Sequence, residues 1–132
     1  MTVVLDASAA VNIGCGTTEG LRLATALAEL GEEIIAPELM MMECANAMWK
    51  YVHAGMVTHD AAWGIYRAIV ELPEQYYTSN QVAYESFNEA VRKDHSAYDM
   101  AYFVLARRTG AAIATCDVQL QEICEAEGIR CI

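Results

Sequence analysis

Four carboxylates stand where an acid group could do chemistry. Asp6 directly follows the β-branched run Thr2-Val3-Val4-Leu5, and Asp117 stands two residues after Ala112-Ile113-Ala114-Thr115. Asp99 falls in the first turn of a helix that begins near Ser96. Glu43 lies inside the apolar stretch Leu39-Met40-Met41-Met42-Glu43-Cys44-Ala45, with Asn46 three residues on along the same helix face. Ligands of open α/β sheets bind beyond the carboxyl ends of the strands, so Asp6 and Asp117 are placed to meet one. Asp6 and Asp117 are equally explained as helix N-caps, and Asp99 as the partner of Ser96 in a capping box. For Glu43 the functional reading is preferred. A charge among methionines and a cysteine needs a partner, and the nearest cation along the helix, Lys50, is seven residues away. Were the four to meet, each close pair would repel by about 4 kcal/mol at an effective dielectric of about 20. Such a cluster must take up protons or bind a cation. Carboxylate oxygens without His or Cys select Mg²⁺ or Mn²⁺ over Zn²⁺, and a divalent ion held this way serves phosphodiester hydrolysis.

The elements that must position these groups follow from apolar spacing. Strands are predicted at Thr2–Leu5, Ile34–Ala36, Tyr76–Thr78, Ala112–Thr115 and Ile129–Ile132. Helices are predicted over Ala7–Ile13, Glu19–Leu30, Glu38–His53, Thr58–Val70, Asn80–Arg92, Ser96–Arg108 and Val118–Ala126. Short apolar strands alternating with helices predict an α/β fold with a parallel sheet covered on both faces. A length of 132 residues, with no repeat, low-complexity tract or linker, predicts one domain spanning 1–132.

Composition narrows the function further. Hydrophobic residues make up 55% of the chain and charged residues 20%, which excludes a disordered or fibrous protein. Eight Lys and Arg against 18 Asp and Glu leave a formal charge of −10, which opposes non-specific binding to nucleic acid or anionic lipid. A polyanionic substrate therefore requires local positive charge from a metal, a few side chains or a partner. The 5 cysteines include no C-x-x-C pair and predict free thiols in a reducing cytoplasm. No signal peptide or membrane span is expected.

With these residues in view, the sequence resembles the PIN-domain nucleases, and most closely the VapC-like toxin ribonucleases of toxin–antitoxin pairs. The segments that carry the likeness are Val4-Leu5-Asp6-Ala7-Ser8-Ala9, Glu43-Cys44-Ala45-Asn46, Ser96 to Tyr102 and Ala114-Thr115-Cys116-Asp117. The block Tyr98-Asp99-x-x-Tyr102-x-x-Leu105-Ala106 is the most specific. The resemblance implies a PIN-like three-layer α/β/α fold with a central, mostly parallel sheet. It implies that Asp6, Glu43, Asp99 and Asp117 hold Mg²⁺ or Mn²⁺. Ser8 and Thr115 would orient a carboxylate, water or phosphate, and Asn46 would lie just behind the ligands. It further implies an RNA substrate, a cognate antitoxin and a homodimer. Two other readings are a non-catalytic PIN-like module docking a partner through its Met-rich face, and a housekeeping RNA-processing nuclease.

Other features carry less. Gly14-Cys15-Gly16-Thr17-Thr18-Glu19-Gly20 has its third glycine one residue late for a dinucleotide fingerprint and reads as a loop. Met40-Met41-Met42 with Met48 and Trp49 reads as core, with a partner groove as the alternative. His53, His59 and His95 are scattered and read as surface or capping residues.

Overall fold

The first apolar run forms β1 (Thr2–Leu5), whose Val3, Val4 and Leu5 are buried. The computed structural model describes residues 1–132. The remaining strands are β2 (Glu33–Pro37), β3 (Gln75–Tyr77) and β4 (Ala112–Ala114). They pair in the order β3-β2-β1-β4, and every pairing is parallel. Between them run α1 (Ala7–Cys15), α2 (Thr18–Leu30), α3 (Leu39–His53), α4 (His59–Val70), α5 (Ser79–Lys93) and α6 (Ala97–Thr109), with α7 (Val118–Ala126) after β4.

Strand order and crossover handedness together account for the layers. From β1 to β2 to β3 the chain moves one way across the sheet, so right-handed crossovers carry α1–α4 over one face. The return from β3 to β4 runs the other way and carries α5 and α6 over the opposite face. The result is a PIN-like three-layer α/β/α fold, and all four strand ends point to one side. Helix α6 is the central helix of its layer. Every residue from Met100 to Ala106 is buried, and it packs on β1, β2 and β4. Gly110, at φ 66°, ends it in the left-handed conformation that glycine adopts without a steric penalty.

The predicted elements are present, with three differences. Helix α1 runs through Gly14 and Cys15, and α2 contains Gly20, so most of the predicted glycine loop is helical. Gly20 is needed for a close approach, since a Cβ there would stand 1.9 Å from the Asn12 carbonyl oxygen. Secondly, the predicted last strand shrinks to one parallel bridge, Cys131 to Ile113, with Ile113 bonding Arg130 and Ile132 through its backbone. Lastly, the methionine run forms no continuous face. Met40 is fully buried and Met42 is exposed, because consecutive helical residues point about 100° apart.

Candidate active site

Asp6 is the most constrained of the four acids. It leaves the end of β1 with its backbone N–H bonded to Ala114 of β4, and its side chain is 4% exposed. Oδ1 accepts from the Ala9 amide at 2.8 Å, capping α1, and from the Ser8 hydroxyl at 2.7 Å. Oδ2 accepts from the hydroxyl of fully buried Thr115. Ser8 in turn accepts from the Cys116 amide at 2.9 Å, and Thr115 from the Asp117 amide at 3.0 Å. These bonds tie the ends of β1 and β4 together through side chains. Burial outweighs the three donated bonds and raises the Asp6 pKa from 3.8 to about 6, with repulsion from Asp117 adding to it. Asp117 caps α7, its Oδ1 accepting from Gln119 at 2.9 Å and Leu120 at 3.3 Å, while Oδ2 has no protein partner.

The other two acids come from helices. Glu43, on the second turn of α3, accepts from the Tyr102 hydroxyl of α6 at 2.5 Å. Desolvation raises its pKa above the usual carboxylate range, and the charge of Asp99 pushes the same way. Asp99 does not complete a capping box with its side chain. Ser96 caps α6 by accepting from the Asp99 amide at 3.2 Å, and the Asp99 carboxylate instead meets His95 Nε2 at 2.8 Å. His95 is therefore no surface residue; its side chain is 16% exposed. Neither Tyr102 nor His95 received a role from the sequence. The available signal was the spacing of Tyr102, three residues after Asp99 on the same face of α6; His95 precedes the Ser96 cap and carried no helical signal.

The site thus consists of two braced halves, Asp6 with Asp117 at the strand ends and Glu43 with Asp99 on the helices. They share one field, since burial together with the charges of Glu43 and Asp6 raises the Tyr102 hydroxyl pKa. The same causes push the buried Cys44 thiol up to about 12. No Lys or Arg pairs with any of the four acids; the one basic contact is His95. The side chains stand as two pairs, and no three Asp, Glu, His or Cys groups converge tightly enough to enclose an ion. In donor chemistry the set nevertheless fits a hard divalent cation. Its ligand atoms are carboxylate oxygens, their charge is opposed by burial and mutual repulsion, and no guanidinium or ammonium neutralises them. Beside Glu43 a hollow opens between α1 and α3, lined by Ser8, Asn12, Asn46 and Lys50.

Known proteins are similar to this chain over most of its length. Ribonuclease VapC3 of Pyrobaculum aerophilum is 26% identical over 129 residues, covering 92% of this chain and 94% of that protein. Ribonuclease VapC12 of Mycobacterium tuberculosis is 28% identical over 120 residues, covering 91% and 90%. The chain is VapC-like. The crystal structure of PAE2754 from Pyrobaculum aerophilum superposes on this VapC-like chain with a TM-score of 0.73 at 20% identity, over 99% of this chain and 83% of that one, which shows a shared fold. No family model matches the VapC-like chain.

Proposed function

We propose that this chain is a divalent-metal-dependent endoribonuclease and the toxin of a type II toxin–antitoxin pair. The observation that carries the reading is two pairs of acidic side chains, Asp6 with Asp117 and Glu43 with Asp99, each pair in mutual repulsion and without a Lys or Arg to neutralise it. Its VapC-named relatives, matched over nine-tenths of the chain, support RNA as the substrate. Asp6, Glu43, Asp99 and Asp117 would hold Mg²⁺ or Mn²⁺, which when bound lowers the pKa of water and offsets charge developing on the phosphate.

The chain's own residues supply the positioning. Ser8 and Thr115 donate to opposite oxygens of Asp6 and set the rotation of its carboxylate. Tyr102 holds one oxygen of Glu43, and His95 holds one of Asp99, leaving the other oxygen of each free. Asn46 lies beside Glu43 on the wall of the hollow, where its amide can meet the substrate. A cognate antitoxin, a homodimer and a cytoplasmic location belong to the same proposal; no helix is long and apolar enough to cross a membrane. The docking-module reading keeps an apolar recess at Met48, Trp49 and Val52, but the methionine run that suggested it is split between core and solvent.

The test is cleavage of single-stranded RNA by the full chain with Mg²⁺ or Mn²⁺, alongside calorimetric titration with Mn²⁺. Cleavage should require the metal and be lost in Asp6→Asn, and Mn²⁺ binding should weaken in Glu43→Gln. Undiminished cleavage by Asp6→Asn would end the reading.

A further inference from the structure

A protein of charge −10 that handles RNA must present positive charge where the strand lies. Five of its eight cationic side chains are engaged by its own carboxylates: Arg22 by Glu19, Arg92 by Glu89, Lys93 by Glu127, Arg107 by Glu85 and Glu89, and Arg108 by Glu85. Lys50, Arg67 and Arg130 remain without an ion-pair partner. Arg67 stands in the last turn of α4, and Arg130 lines recesses near the chain's end. Lys50 alone opens onto the hollow that also exposes Glu43 and Ser8.

Helix geometry explains why this lysine stays free. Glu43, Asn46, Ala47 and Lys50 recur at helical spacing along one face of α3. Seven residues of rise put Lys50 roughly 10 Å along the axis from Glu43, too far to neutralise it. Asn46, between them, makes no side-chain hydrogen bond within the protein, whereas Asn12 across the hollow is held by Ser8 and Thr17. The apolar recess of Met48, Trp49 and Val52 lies on the opposite face of α3, so Trp49 does not border the hollow.

We propose that the hollow between α1 and α3 is the track along which single-stranded RNA reaches the acidic centre. Lys50 contacts a backbone phosphate flanking the one that is cut, and Asn46 offers its amide between them. This rests on the nuclease reading above and adds where the strand lies. It is tested on the full-length protein with a fluorescein-labelled, mixed-sequence single-stranded RNA and Mg²⁺, measuring anisotropy and steady-state cleavage across a KCl series. Lys50→Ala should raise Kd and KM roughly threefold to tenfold, with less effect on kcat, and lower the slope of log Kd against log salt by about 0.7. Lys50→Glu should do worse, and Lys50→Arg should recover most of the loss. Arg130→Ala serves as the control for general charge. Wild-type KM and salt slope in both Lys50→Ala and Lys50→Glu, in a protein that cleaves RNA, would overturn the track and leave the nuclease reading standing. An equal loss in Arg130→Ala would also overturn it. A wild-type protein that neither binds nor cleaves RNA would overturn both.

Discussion

Asp6 occupies surroundings that oppose its own charge, and this has a measurable sign. Its pKa rises from 3.8 in the open chain to about 6 in the fold, chiefly through burial. The folded protein therefore binds a proton more readily than the unfolded chain, and this group favours folding at acid pH. That advantage is lost as pH climbs from about 4 through about 6, amounting to about 3 kcal/mol at neutrality. In the absence of metal, Asp6→Asn should be the more stable protein at pH 7, and its margin over wild type should vanish near pH 4. Urea denaturation of both proteins across that range checks it; a pH-independent difference would remove burial as the cause. At this scale the sequence was legible where a residue type is costly out of context, as for Glu43. It was less legible for Tyr102 and His95, whose partners lie on another helix or across a tight turn.

At the scale of elements, capping and ligand geometry coincide. Asp6 and Asp117 read equally well as caps or as site residues, and each does cap the helix it precedes, with one carboxylate oxygen engaged by backbone amides. Substitutions at Asp117 can separate the two tasks. Asp117→Ser keeps a capping oxygen and should leave stability within about 1 kcal/mol while Mn²⁺ binding falls. Asp117→Ala should add a loss of about 1 kcal/mol from the missing cap. Thermal denaturation beside calorimetry distinguishes them, and equal Mn²⁺ affinity in all three proteins would exclude Asp117 from the ligand set. Helix centres were readable from apolar period, but their ends depended on tertiary contact. Helix α1 continues through Gly14 because Ile65 and Ile69 of α4 pack against that position, and a Cβ there would stand 2.5 Å from an Ile69 methyl. The last predicted strand fails for a related reason. Beyond β4 only Cys131 finds a bridging partner, and β-propensity alone does not pair a strand.

For the whole molecule, alternation of strands and helices was enough to predict a parallel sheet covered on both faces. The order β3-β2-β1-β4 was not readable, because nothing local records on which side of β1 the chain returns. That return sets Thr115 and Asp117 beside Asp6, so the pairing of these two acids is a property of topology. Net charge is also not local charge. A net charge of −10 speaks against a polyanionic substrate, yet five of the eight cations are engaged elsewhere and one of the remaining three faces the hollow beside the site. The division of the site into two separately braced halves has an energetic consequence. Ser8 and Thr115 act on one carboxylate and lie 3.3 Å apart, so their alanine substitutions should be non-additive by at least about 0.5 kcal/mol in a double-mutant cycle. Ser8→Ala combined with His95→Gln, one from each half, should add to within about 0.5 kcal/mol. Additivity of this kind would let substitutions accumulate among the side chains that brace one acid pair without disturbing how the other is held.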